Sequence, residues 1–353
     1  MYQGKTVEEL LHELQRREIV KEDFVIDSRD LEMTPDTTLL LEGITNDEGM
    51  PANDLAHQQI ATHTKIPTRY YDRLRSANPE LLADNVNFWF NKEPKRRMVR
   101  TLDGEARAFL SDHYKRIDNL PVAMTSLQAM MDKELGSYEV VSSDVTDRNL
   151  YINVRMPKII GDVAVGDPVQ WGLRIRNSEV GLGALDISPL IYRLVCSNGM
   201  IVPKEINSGR VRKTHLGPKV GNDDNVVYRA DTQEALDKAM LLQIRDAIHN
   251  LSDPNLFFRL MEEMRAATQG TKVENPIKAV EVLQKAYALP SMESEGILED
   301  LIKAQDYSRW GVLNAVTAQA NKTGADRAED LHQLGGKILT LGNSEWQRIA
   351  EAA

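Results

Sequence analysis

The chain has 353 residues, 42% hydrophobic and 27% charged, the balance of a globular protein with enough apolar side chains to bury a sizeable core. No run of about 18 apolar residues occurs, and MYQGKTVEELLHELQRREIV lacks the charged-then-apolar order of a secretory signal, so neither a membrane span nor export is expected. The net charge of −10 divides unevenly: −9 over residues 1–60, +6 over 61–220 and −7 over 221–353. A basic middle between acidic ends implies a local site for an anionic partner, or simply a solvated surface.

Residues 6–18 read as a helix, with Thr6 and Glu9 as a capping box and Leu10, Leu11 and Leu14 as its apolar stripe. EDFVIDS (22–28) and TTLLLEG (37–43) read as short strands. Residues 53–76 read as two helices, the first capped by Asn53 or Asp54 and the second opening near Pro67. Their spacing resembles a helix-turn-helix only distantly, and two such helices usually pack on each other.

RRMVRTLDGEARAFLS (96–111) predicts a hairpin turning at Asp103-Gly104. A helix follows from Asp118 to Leu135, then strands at 138–145 and 149–156. Trp171, Leu173 and Ile175 alternate with Gly172, Arg174 and Arg176 in the next strand. IYRLVC and MIV flank Ser197-Asn198-Gly199, which predicts a second tight hairpin. Residues 203–225 are poor in apolar side chains and read as a mobile loop. From Asp231 the pattern is helical, with further helices near 254–268, 276–288, 293–304, 308–321 and 326–341.

The expected fold class is therefore α+β: antiparallel β-hairpins and a meander with a crossing helix, followed by an all-helical C-terminal region. Three regions are expected: an acidic N-terminal helix with strands (1–60), an α+β core with a basic sheet face (61–225), and a helical region (226–353).

Catalytic signatures are scarce. The sequence holds no GxxxxGK[ST], GxGxxG or HExxH motif, and its seven histidines are scattered. Asp112-His113-Tyr114 is the nearest thing to a reactive cluster, although neighbours along a strand point to opposite faces. Asp144/Asp147 and Asp223/Asp224 lie in turn-like sequence, where Asp bonds locally. Cys196, the single cysteine, excludes an internal disulfide and reads as a buried thiol in an apolar strand; a reducing, cytoplasmic setting is the default. No catalytic residue, metal or cofactor is expected.

A basic face is the stronger signal. Tyr151, Asn153 and Arg155 share one side of their strand, and Gln170, Arg174 and Arg176 one side of theirs. Arg193 faces away from Tyr192 and Leu194. The first hairpin adds Arg96, Arg97, Arg100 and Arg107; the loop adds Lys204, Arg210, Arg212, Lys213 and Lys219 against one acid, Glu205. Arginine forks suit phosphates, and Tyr151 is the candidate for stacking a base. An antiparallel sheet also commonly turns one arginine-bearing face to water, so a merely solvated surface stays open.

The segments NPELLADNVNFWF, VRTLDGEARAFLSDHYKRIDN, IYRLVCSNGMIVP and GVLNAVTAQAN together resemble the phage/plasmid-like "domain of unknown function" 932 family, from about residue 55 to about 340. That resemblance implies a cytoplasmic protein of a bacterial host carrying a bacteriophage or plasmid, and no catalytic residues. More distantly, the pattern is similar to the RecT/Red-beta group of recombination annealing proteins. This implies an oligomer that holds single-stranded DNA in a basic groove without a nucleotide.

The expected function is single-stranded DNA binding for strand annealing or DNA recombination, by a homo-oligomeric protein away from membranes. Two alternatives remain: a structural or protein-interaction role without nucleic acid, and a metal-assisted nuclease around Asp112 and His113.

Overall fold

The computed structural model describes residues 4–132, 137–195, 198–202, 210–215 and 230–352. Helix α1 (Val7–Val20) opens as expected: Thr6 Oγ1 accepts from the Glu9 N–H, and the Glu9 carboxylate accepts from the Thr6 N–H. Strand β1 (Asp23–Asp27) pairs antiparallel with β4 (Arg96–Leu102), and β4 with β5 (Glu105–Ser111), making a three-stranded sheet. Asp103 (φ 52°) and Gly104 (φ 78°) turn the β4–β5 hairpin; both need the left-handed region, which Asp and Gly reach most readily.

Strands β2 (Leu31–Met33) and β3 (Leu39–Leu41) form a small ladder of their own. Helices α2 (Asp54–Thr64), α3 (Thr68–Ala77) and α4 (Pro79–Lys92) pack on the three-stranded sheet around Ile60, Tyr71, Val86, Phe90, Val99 and Phe109. Helix α4 is absent from the sequence-based expectation, though its signals are ordinary. Asn78 caps it by accepting from the Leu81 N–H, Pro79 is its first residue, and Leu82, Ala83, Val86 and Phe90 make one buried stripe.

After α5 (Asn119–Met130) comes the main sheet: β6 (Glu139–Val145), β7 (Leu150–Asp162), β8 (Pro168–Asn177), β9 (Leu185–Arg193) and β10 (Asn198–Ile201), ordered β10-β9-β8-β7-β6 with every neighbour antiparallel. Strand β11 (Val211–Lys213) extends the β10 edge of β9. One face is apolar. Ile152, Val154, Leu173 and Ile175 lie under α1, α5 and α6 (Ala230–Leu251), while Trp171 and Ile191 lie under α7 (Pro254–Gln269). Trp171 Nε1 donates to the Leu251 carbonyl at 2.8 Å, so the ring's one polar atom is satisfied in the core.

Helices α8 (Pro276–Tyr287), α9 (Ser291–Ala304), α10 (Arg309–Ala318), α11 (Ala325–Leu339) and α12 (Asn343–Ala350) complete the chain. They bury Trp310, Leu313, Leu331, Ile338 and Trp346 in the same core as Trp171. The fold is α+β, and its C-terminal region is all helical. No helix among the described residues is long and apolar enough to cross a membrane.

Two local expectations are corrected. Asn198-Gly199 is not the turn between β9 and β10. Asn198 pairs with Arg193 inside the ladder, and its side chain donates to Thr317 Oγ1 at 2.6 Å and to the Asn314 carbonyl. Asn198 and Gly199 therefore belong to β10, and Cys196 lies outside the described residues. The 203–225 loop is also not loop throughout: β11 lies within it. Residues 203–209 and 216–225, with Lys204, Lys219, Asp223 and Asp224, lie outside the described residues.

Candidate nucleic-acid interface

Period-2 alternation puts Tyr151, Asn153, Arg174 and Arg176 on the face opposite the apolar core, as the sequence predicts. Tyr151, Asn153 and Arg174 on that face are buried, and Arg176 is half-buried. Helix α11 crosses it and brings acids to it. Arg174, wholly buried, pairs with Asp186 at 2.7 Å and with Glu329 of α11. Glu329 and Asp186 overcome the desolvation of Arg174 and hold its pKa up. Arg210 forks onto the same Asp186. The Tyr151 hydroxyl donates to Asp326 of α11 at 2.7 Å, and burial followed by that carboxylate pushes its pKa up. Tyr151 is 5% exposed, so its ring offers no stacking surface in this conformation.

Five more of the expected arginines are engaged too. Arg176 donates from Nε to Asn149 Oδ1 at 3.1 Å. Arg155 pairs with Glu139 at 2.6 Å and lies over Tyr192. Arg193 pairs with Asp167 at 2.6 Å. On the hairpin, buried Arg100 forks onto Asp23 and reaches Asp118 at 2.7 Å. Burial raises the Asp118 pKa, but Arg100 and Lys21 outweigh it and hold that carboxyl at about 2. Arg107 is buried against Glu179 at 2.8 Å. Arg100 and Arg107 are thus held by acids in the interior, while half-buried Arg155, Arg176 and Arg193 are held at the main sheet.

Arg96, Arg97, Arg176, Arg212 and Lys213 are the expected cations that make no salt bridge among the described residues. Arg212 is exposed and Lys213 half-buried at the β11 edge. Arg96 is exposed at the start of β4. Arg97 lies 4.9 Å over the Phe109 ring and donates to the Phe109 carbonyl. Burial pushes its pKa down, and its Nε has no partner among the described residues.

Arg96 and Arg97 have company that the sequence reading passes over. Lys65, just past α2, bonds Glu93, just past α4, at 2.9 Å, which joins the ends of those helices. His63 lies among them, 5.4 Å from the Phe109 ring and 5.9 Å from Phe90. Burial, then Arg97, Lys95 and Lys65, push its pKa down to about 4, with Glu93 alone opposing. Lys92 and Lys95 are exposed and make no salt bridge among the described residues. The signal was in the sequence: KEPKRR at 92–97 holds four cations and one acid in six residues.

The remaining candidates do not assemble. His113 Nε2 lies 3.7 Å from Asp112 Oδ1 with its ring 77% exposed. Asp144 binds Lys5 at 2.7 Å, while Asp147 is 4.0 Å from Arg17. No group of three or more His, Cys, Asp or Glu among the described residues could hold a metal ion.

Comparisons with curated proteins and with solved structures find no match. A comparison with protein families matches residues 108–337, from inside β5 to inside α11. The matched stretch holds the main sheet and its α11 cover, and the cationic end at 63–97 precedes it. Over this greater part of its length the chain belongs to the family described as Domain of unknown function (DUF932).

Proposed function

We propose that the protein binds DNA through the cationic end formed by Lys65, Lys92, Lys95, Arg96 and Arg97. One observation carries this reading: Lys65, Lys95 and Arg97 surround a neutral His63, and Glu93, bonded to Lys65, is the acid that opposes them. Of these cations only Lys65 has a carboxylate bonded to it, and together, on a chain of net charge −10, they would form a local positive surface that the total hides. Phosphates would supply the missing counter-charges, and release of their condensed ions would drive binding. Strand annealing, which a relation to the RecT/Red-beta group would imply, would extend this reading. The test is fluorescence anisotropy with a labelled oligonucleotide over a salt series. Affinity should fall steeply with salt; no binding at low salt would remove the reading.

A second reading, a protein-interaction role, draws on the pairing of the sheet-face arginines with Glu329, Asp186, Glu139 and Asp167. Most charges on that face are already satisfied within the fold, Arg176 on the Asn149 amide being the exception. This reading expects a protein partner in a pull-down that nuclease treatment leaves bound.

A further inference from the structure

Helix α4 places two aromatic rings beside the cationic end. Its buried stripe is Leu82, Ala83, Val86 and Phe90. At 100° per residue the opposite side carries Leu81, Asn85, Phe88 and Lys92, with Trp89 at its margin. Phe88 is 58% exposed and meets Trp89 edge-on, ring centroids 5.2 Å apart. Lys92 lies four residues beyond Phe88 and three beyond Trp89, the spacings at which helical side chains are neighbours.

An exposed Phe on a helix with a well-formed buried face contributes nothing to the core and leaves a ring in water. Beside cations lacking carboxylates, that ring has a chemical match. A flexible chain carrying phosphates and unpaired bases can place phosphate on Lys92, Lys95 and Arg96 and lay a base on Phe88. A duplex offers the same phosphates but keeps its bases stacked inside, so the ring gains it nothing.

Resting on the DNA-binding reading above, we infer that Phe88 and Trp89 are a base-stacking platform that makes this surface prefer single-stranded over double-stranded nucleic acid. Trp89 reports on the contact directly. The other tryptophans, Trp171, Trp310 and Trp346, are at most 3% exposed, so a bound oligonucleotide quenches Trp89 selectively.

The experiment titrates the full chain with oligo-dT and with a duplex of equal length, following tryptophan emission, and repeats both with Phe88→Ala. Because the Phe88 side chain is exposed, the variant should keep the wild-type melting temperature. The expected result is quenching by oligo-dT, tighter binding of oligo-dT than duplex, and a loss on the order of 10-fold for oligo-dT alone in Phe88→Ala, the size of one base stack. Equal affinity for both nucleic acids, unchanged by Phe88→Ala, would overturn the platform and leave the cationic end standing. No binding of either would remove the DNA-binding reading itself. A Phe88→Ala variant that changes oligomeric state while binding oligo-dT normally would also overturn the platform, assigning the ring to a contact between protein chains.

Discussion

Arg174 of β8 and Glu329 of α11 form an ion pair in which the two side chains are 0% and 4% exposed. They are 155 residues apart, and their contact fastens the C-terminal helices to the polar face of the main sheet. Asp186 accepts from Arg174 and from Arg210, so an alternating chain of charges, Glu329–Arg174–Asp186–Arg210, runs across the sheet. Such a chain is near neutral in net stability while intact and costly when one member is removed, because the survivor stays charged in a low dielectric.

Removal of Glu329 should therefore destabilise strongly. Glu329→Ala leaves Arg174 facing a single shared carboxylate, at a cost of about 3 kcal/mol in urea unfolding. Arg96→Ala, an exposed cation outside any salt bridge among the described residues, should change stability by no more than about 0.5 kcal/mol. Equal effects would mean that the buried chain of charges does not hold α11 in place.

Gly172 tests the sheet on that same strand. A Cβ at Gly172 would lie 2.2 Å from the Val154 carbonyl oxygen, a backbone atom that cannot rotate away. Gly172→Ala should cost at least about 2 kcal/mol and lower the urea midpoint. Gly104→Ala meets nothing within 4 Å, and its cost comes from its φ of 78° alone.

Stability should fall on mild acidification. Burial is the leading cause that holds His57, His63 and His215 at about 4 and His332 at about 3. An unfolded histidine titrates near 6.5. With folded values depressed, the unfolded chain takes up protons first, so stability is fully present above about pH 6.5 and is lost as pH falls towards 4. For His332, 2% exposed, the loss by pH 5 is about 2 kcal/mol. Thermal melts between pH 7.5 and 4.5 check this, and His332→Gln should flatten the slope.

Much of the fold was legible because its signals are local. The Thr6–Glu9 capping box, the Asp103-Gly104 turn and the periodic stripes of the C-terminal helices each lie within a few residues, and the structure keeps them. Helix α4 carries equally local signals in Asn78, Pro79 and its stripe. The face bearing Arg174 was also read correctly from alternation. Its cover was not legible, because the acids that neutralise it, Asp326 and Glu329, stand on a helix far along the chain with no local mark of where it docks. Strand period tells which residues share a side and not what lies over that side. Asn198-Gly199 failed for a related reason: Asn198 finds its partners on α10, and those contacts favour ladder over turn.

The central claim, that DNA is held at residues 65–97, is tested most directly by the salt dependence of oligo-dT binding in wild type and in Lys95→Ala with Arg96→Ala. Each phosphate contact removed from a single-stranded complex lowers the slope of log affinity against log salt by about 0.7. The double variant should therefore lose about 1.4 from the slope and bind more weakly at low salt, with its melting temperature unchanged. A slope and affinity equal to wild type would contradict the claim and place any nucleic-acid contact elsewhere on the protein.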